Sequence, residues 1–423
     1  MSKDENCTNI DTVIDILPTT RIEILENENS PRFGIIDKNN RSITLEAQTT
    51  NQMMQWILVL RSKTFQVKKL SMENFRIISV IGRGVYGKVM LVEDIKNPSK
   101  KYAIKSVRKS KLVESDKVHT VLTERNVLAQ CQHPFIVSLY FAFQTPSKFY
   151  FGLEYSPGGE IFFHMQKRGN LPLEEVKYYI SEISLAFDFL HKHHIIYRDL
   201  KPENVLLDFE GFIKLTDFGL SKDLSAIDQT STFCGTAEYL APELVNHQNY
   251  DYSIDWWTLG IFTFELLYGH TPFANPNRIK MFQNIISKPP AFPHNADPGV
   301  VSLVSELLVK DPKKRATFKE IKENIFFEGI NFDDVLARKI KPPFVPDILD
   351  DKLTPPSNFD SDFTSETAAD SFTFPIFGSL QKVEGFSYTS DELTADFNNS
   401  DYSEKKLNEK EDDSQVTSSQ SLS

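Results

Sequence analysis

The chain has 423 residues, is 40% hydrophobic and carries a formal net charge of −11, enough apolar material for large buried cores in two or three domains. The charge sits at one end: from Asp347 onward there are 17 acidic residues against five basic ones. No basic stripe occurs, which excludes nucleic-acid binding as the main role because phosphate backbones select clustered Lys and Arg. Three widely spaced cysteines, Cys7, Cys131 and Cys234, exclude a disulfide framework and a zinc site and fit a reducing compartment.

Residues 1–70 read as a module of their own. Arg21–Leu25 alternates like a strand, and Phe33–Ile36 and Ser42–Leu45 flank the turn signal Asp37-Lys38-Asn39-Asn40. Met53, Trp56, Ile57, Leu60 and Phe65 then recur at helical spacing and predict a helix with those residues inward. The N-terminus lacks the charged-then-apolar pattern of a signal peptide, so the cytoplasm is the expected location, with transient residence at a membrane allowed.

A main domain is expected over residues 75–327. It opens strand-rich (Phe75–Ile81, Val89–Val92, Lys101–Lys105) and turns helical from Leu173, where Leu173, Val176, Ile180, Ile183, Phe187 and Leu190 form one apolar face. The apolar run Trp256–Leu267 is interrupted by polar residues and is too short for a bilayer crossing, so it reads as a buried helix. Beyond Lys341–Pro346, an extended segment, isolated aromatics (Phe359, Phe363, Phe372, Phe374, Phe377, Phe386, Tyr388) sit in an acidic Ser/Thr-rich background. That composition predicts a tail over 328–390 anchored by its aromatics, then a disordered acidic segment over 391–423.

Within the main domain, Ile81-Gly82-Arg83-Gly84-Val85-Tyr86-Gly87-Lys88-Val89 is a G-x-G-x-x-G-x-V loop whose glycines let backbone N–H groups approach phosphates. Alone it fits a dinucleotide site equally well. It joins two strands, however, and Lys105 follows on the next one, facing opposite to Ile104. Glu124, on a helix with Val121 and Leu128 inward, offers Lys105 a carboxylate partner. Tyr197-Arg198-Asp199-Leu200-Lys201-Pro202-Glu203-Asn204 follows. Then Val205–Leu207 and Phe212–Leu215 flank Asp208-Phe209-Glu210-Gly211 as a hairpin that returns Asp217-Phe218-Gly219 to the same cleft.

The order of these motifs, closed by Ala241-Pro242-Glu243, resembles the protein kinases. Tyr197 in place of histidine, Thr232-Phe233-Cys234-Gly235-Thr236 and the C-terminal extension resemble the AGC family of serine/threonine kinases. Within it the protein kinase B group is most similar, on Glu154-Tyr155 and Gly158–His164; the serum-glucocorticoid-regulated and ribosomal S6 kinases come next. The resemblance implies an α+β, bilobal protein-kinase fold with a β-rich small lobe, an α-helical large lobe and the AGC C-terminal extension, after a partial pleckstrin-homology-like segment. That segment lacks the front strands and basic loop of a lipid-binding domain, so phosphoinositide binding is not expected of it.

By the same resemblance, Asp199 takes the proton of the attacking hydroxyl, Lys201 steadies the transferred phosphoryl group, and Thr236 completes the catalytic set with Lys105 and Glu124. Asn204 and Asp217 would hold Mg²⁺. ATP would lie under the 81–89 loop with its adenine on the backbone of Glu154 and Ser156, near Phe359. Glu160, Glu203 and Glu265 would pair with substrate arginines, making the partners proteins with basic motifs. Thr232 and Ser387 would be phosphorylated, Thr232 by an upstream kinase, with Arg198 and Lys222 receiving its phosphate. A monomer is expected. Val383 replaces the usual Phe of the hydrophobic motif, which predicts weaker tail docking, and Ala237 replaces a proline. A scaffold without turnover and a membrane adaptor acting through residues 1–70 are the other function classes; neither has a supporting feature.

Overall fold

The computed structural model describes residues 20–25, 31–36, 42–64, 70–115, 117–224, 229–230, 232, 234–348, 356–376, 378, 381–390 and 393. The turn 37–40, Phe65, Phe233, Phe377 and, apart from Leu393, the acidic segment 391–423 lie outside them.

β1 (Arg21–Leu25), β2 (Arg32–Ile36) and β3 (Ser42–Glu46) form an antiparallel meander, followed by α1 (Thr50–Thr64). Ile22, Phe33, Ile35, Met53, Met54 and Ile57 make its small core. Trp56 departs from the inward set predicted for α1, being 54% exposed, and Met54 is buried in its stead. The rotation of a helix face is set by what the helix packs on, which spacing alone leaves open.

The next lobe is a six-stranded sheet. Five of its strands are β4 (Phe75–Gly84), β5 (Gly87–Asp94), β6 (Lys101–Arg108), β7 (Leu139–Gln144) and β8 (Lys148–Glu154), with α2 (Lys109–Glu114) and α3 (Val118–Gln130) between β6 and β7, and the sixth comes from the tail. Side chains alternate across a sheet. Ile104 therefore enters one core with Phe75, Met90 and Phe141, while Ala103 and Val107 join the other, against α3.

β9 (Gly159–Glu160) and α4 (Ile161–Arg168) lead into α5 (Leu173–Lys192), where Val176, Ile180, Ile183, Phe187 and Leu190 are fully buried, each worth roughly 1.5–3 kcal/mol relative to exposure. β10 (Ile195–Ile196), the hairpin β11 (Val205–Leu207) and β12 (Ile213–Leu215), and β13 (Lys222–Asp223) border the cleft. α6 (Pro242–Val245) precedes α7 (Ser253–Tyr268), which is buried nearly all round, as its uniformly apolar sequence predicts. Among the described residues no helix is long and apolar enough to cross a membrane. α8 (Arg278–Ser287), α9 (Pro298–Leu307), α10 (Phe318–Glu323) and α11 (Phe332–Leu336) complete the helical lobe, and Phe332 and Val335 carry its core past Phe327.

The tail then runs back across both lobes. Phe344 packs on the helical lobe's core. At the crossing between lobes, Asn358 donates to the carbonyls of Pro157 and Asp347, and a Cβ on Gly159, whose φ is +70°, would lie 1.9 Å from the Asn358 carbonyl. After α12 (Ser361–Thr364) the tail ends as β14 (Tyr388–Thr389) on β7. Phe386 is buried with its ring 4.4 Å from Phe149 and 5.5 Å from Phe151. Phe372 and Phe374, predicted as anchors, are 82% and 76% exposed and meet each other; the backbone and charges of that stretch dock it, as described below.

Candidate active site

The glycine loop is the β4–β5 hairpin, with Arg83 opposite Lys88 and Gly84 opposite Gly87. Ile81 is buried, Val89 is partly buried against the core, and Val85 and Tyr86 form the turn. The three glycines do different things. A Cβ at Gly84 would meet nothing, leaving space for a ligand, and at Gly82 it would touch only Val89 at 3.6 Å. At Gly87 it would lie 1.7 Å from the Ser106 carbonyl, so that glycine serves the approach of β5 to β6, a correction to the reading that gives all three to phosphate.

Val89 pairs across the sheet with Lys105. Lys105 Nζ lies 2.6 Å from Glu124 Oε1 on α3 and 2.9 Å from Asp217 Oδ1. Burial pulls the Lys105 pKa down, but the two carboxylates more than reverse it and hold the ammonium above its ordinary range. Lys105 in turn holds Asp217 below the usual aspartate value, while burial raises Glu124 against the pull of Lys105. Asp217 sits at φ 55°, a left-handed conformation costing a non-glycine residue about 1–3 kcal/mol.

The hairpin carrying these groups is closed by its own turn: Asp208 Oδ1 accepts the Glu210 and Phe212 N–H groups at 2.9 and 3.0 Å, an Asx-type device. At its open end the Thr216 N–H meets the Asn204 carbonyl at 3.0 Å. Asp199 Oδ2 accepts from Lys201 Nζ at 3.0 Å and Asn204 Nδ2 at 2.8 Å. Burial raises the Asp199 pKa, Lys201 opposes it, and Asp217 raises it further. Thr236 lines a cavity with Arg198 and Asp199; among the described residues its hydroxyl makes no hydrogen bond to Asp199 or Lys201.

Asp255, missed from sequence, holds this loop. Fully buried at the start of α7, it accepts the Tyr197 and Arg198 N–H groups at 2.9 Å each and a 2.8 Å hydrogen bond with His191 Nε2. Arg198 sits at φ 68°, and Asp255 over-determines that strained geometry. The available signal was a carboxylate directly before the apolar run at Trp256, since a buried charge needs partners.

The cleft suits a cation that arrives with its ligand. Asn204 spends its amide nitrogen on Asp199 and Asp217 spends Oδ1 on Lys105, leaving one oxygen each. Among the described residues no three His, Cys, Asp or Glu side chains are grouped to hold a metal unaided. Two hard oxygens fit Mg²⁺, which keeps waters and phosphate oxygens as its remaining ligands.

At the lobe junction, the Glu154 carboxylate is committed to Lys214 Nζ at 2.8 Å and the Ser138 N–H at 3.2 Å, and its own N–H donates to the Ser138 carbonyl at 2.9 Å. Ser156 is buried, and Phe359 stacks on Tyr155 with centroids 6.1 Å apart. Burial, then Glu203 and Asp360, push Glu160 up to about 7. Glu265, hydrogen-bonded by the Tyr239 hydroxyl, is raised by burial and by Glu203. The three predicted carboxylates thus share one field.

Thr232 is exposed, and its carbonyl accepts the Tyr250 hydroxyl at 2.6 Å. Arg198 Nη1 reaches Tyr250 at 2.9 Å and Lys222 Nζ reaches Thr230 at 2.6 Å. Burial and Arg198 lower the Lys222 pKa. Ser387 is exposed beside buried Phe386, and Val383 exchanges hydrogen bonds of 2.9 and 2.6 Å with the Gln144 side chain, so polar backbone contacts hold the tail where a phenylalanine is missing.

The protein kinase domain family matches residues 75–327. Serine/threonine-protein kinase gad8 of Schizosaccharomyces pombe is 44% identical over 73% of this chain and 54% of its own length. Serine/threonine-protein kinase Sgk1-A of Xenopus laevis is 41% identical over 74% of this chain and 75% of its own. The RAC family serine/threonine-protein kinase homolog of Dictyostelium discoideum is 38% identical over 83% and 82%. The chain spans about half the length of the fungal relatives it matches. A lysine, helix carboxylate and aspartate meeting under a glycine loop, beside an Asp-Lys-Asn cluster, agree with that match: the chain belongs to the protein kinase domain family, among the serine/threonine kinases of AGC type.

Proposed function

We propose that the protein transfers the γ-phosphoryl group of Mg·ATP to serine or threonine hydroxyls of protein substrates. Its family implies ATP, a divalent cation and a protein substrate. The observation that carries the reading is the convergence of Lys105, Glu124 and Asp217 on one side of the cleft with Asp199, Lys201 and Asn204 on the other. Asp199 Oδ2 is held by Lys201 and Asn204, so its second oxygen remains for the proton of an incoming hydroxyl. Lys201 offsets charge on the moving phosphoryl group, and Lys105, aligned by Glu124, orients the other phosphates. The bound cation supplies charge neutralisation on the phosphate oxygens.

Substrates carry arginine upstream of the acceptor. After burial, the Glu203 carboxylate is the largest charge raising the carboxyl pKa of both Glu160 and Glu265, and such a field is relieved by a guanidinium, whose fork suits carboxylates. Phosphorylation of Thr232 by an upstream kinase and of Ser387 in the tail raises activity. Among the described residues, Arg198 and Lys222 make their hydrogen bonds to neutral oxygens, and a phosphate would bring about −1.5 to −2 of charge to them. The chain acts as a cytoplasmic monomer without phosphoinositide affinity. The gad8-, YPK- and Sgk-type relatives are 41–44% identical and the RAC-type relative 38%, which supports an AGC serine/threonine kinase and not the protein kinase B group in particular.

The test is incorporation of phosphate from ATP and Mg²⁺ into an arginine-rich serine peptide by the purified full chain. Wild type should label it and Asp199→Asn should not; equal labelling would overturn the reading.

A further inference from the structure

The loop over the nucleotide position projects from the edge of its sheet. Its tip residue Val85 is 86% exposed, and β4 is an edge strand, so the sheet braces the loop from one side only. The tail supplies a second brace. α12 packs along β4, and just beyond it Glu366 Oε2 lies 2.8 Å from Arg83 Nη2 and 3.6 Å from Lys88 Nζ. Lys88 Nζ also donates to the Ala369 carbonyl at 3.2 Å.

Arg83 and Lys88 are cross-strand partners, one rung before the Gly84–Gly87 pair, so one carboxylate ties both strands of the hairpin at the same level. The tail is itself fixed four residues further on. Asp370 Oδ1 lies 2.6 Å from Lys148 Nζ, whose side chain is 3% exposed, and Asp370 Oδ2 accepts the Tyr150 hydroxyl at 2.9 Å. Lys148 also donates to the Ser371 carbonyl. Lys148 and Tyr150 belong to β8, an inner strand, so the strap runs from the middle of the sheet to the hairpin at its edge.

We propose that Glu366 is a positioning residue for the nucleotide: held by Asp370 on Lys148, it fixes the Arg83–Lys88 rung and thereby sets how closely the glycine loop covers the phosphates. The proposal rests on reading the cleft as an ATP site. The Arg83 and Glu366 side chains are 57% and 26% exposed, so solvent screening limits the pair. Glu366→Gln should raise the KM for ATP by about two- to fivefold and change kcat less, with Glu366→Asp intermediate. In a double-mutant cycle, Arg83→Gln with Glu366→Gln should cost no more than either change alone.

Amide hydrogen exchange over residues 82–88 of the nucleotide-free full chain reads the strap itself. It should quicken in Glu366→Gln and be no faster in the double variant. Unchanged exchange, or additive effects on KM, would overturn the proposal. Quickened exchange in Glu366→Gln together with a wild-type chain that binds no ATP would instead overturn the nucleotide reading, and the positioning role with it, while leaving the strap.

Discussion

The cleft and the Thr232 region are built from similar parts and left in opposite electrostatic states. In the cleft, Lys105 has two carboxylates within 2.9 Å and Lys201 has one at 3.0 Å. Around Thr232, Arg198 and Lys222 contact a carbonyl and hydroxyls, and among the described residues neither makes an ion pair. Burial first, and then the neighbouring Arg198 cation, disfavour the charged form of Lys222. The charges of the cleft are therefore matched by the chain's own residues, whereas the Thr232 region has positive charge that an added phosphate would match. Beside Ser387 the tail is held by apolar packing, with the Phe386 ring fully buried.

Breaking the matched side should cost most. Asp199→Asn should lower kcat by about 10²–10⁴-fold with the melting temperature little changed, measured by peptide labelling and calorimetry. Phe386→Ala removes a ring held by Phe149 and Phe151 and should cost the docked tail about 3–5 kcal/mol. Limited proteolysis of the 381–390 segment checks it, and unaltered cleavage would separate docking from that ring.

The unmatched side should respond to the switch. Thr232→Ala should reduce the activity of upstream-kinase-treated protein by about 10- to 100-fold, the worth of one or two charge-assisted hydrogen bonds. Ser387→Ala should cost only a few-fold, because the neighbouring ring is already docked. Equal losses for the two would erase the contrast.

The smallest effect is a pH dependence. With Glu160 raised to about 7, its charged form is present above that pH and lost below it, so the KM for an arginine peptide should rise by about three- to tenfold between pH 8 and 6. The rise should flatten in Glu160→Gln. A wild-type KM that does not move would remove Glu160 from arginine recognition.

The hairpin and its flanking motifs were legible in the chain because their signals are local: an Asx turn at Asp208, short apolar runs and fixed spacing from Asn204 to Asp217. The inward face of α5 was legible for the same reason, since five of its predicted residues are fully buried. Trp56, Phe372 and Phe374 were misread because hydrophobicity states a preference for burial and not a partner to bury against. Phe386 finds the Phe149–Phe151 cleft, while Phe372 and Phe374 stay exposed against each other, the stretch before them being held by Asp370 on Lys148. Gly87 was assigned to phosphate because a motif cannot say whose backbone comes near.

By itself, then, the sequence determined the elements, the order of the catalytic groups and the family, all of which depend on periodicity and short spacing. Tertiary structure alone decided which charges meet: Lys105 with Glu124 and Asp217, Asp255 with the Tyr197 and Arg198 amides, Glu366 with Arg83. These partners are 19 to 283 residues apart, and an ion pair depends on a few ångströms in space, a distance that separation along a chain does not encode.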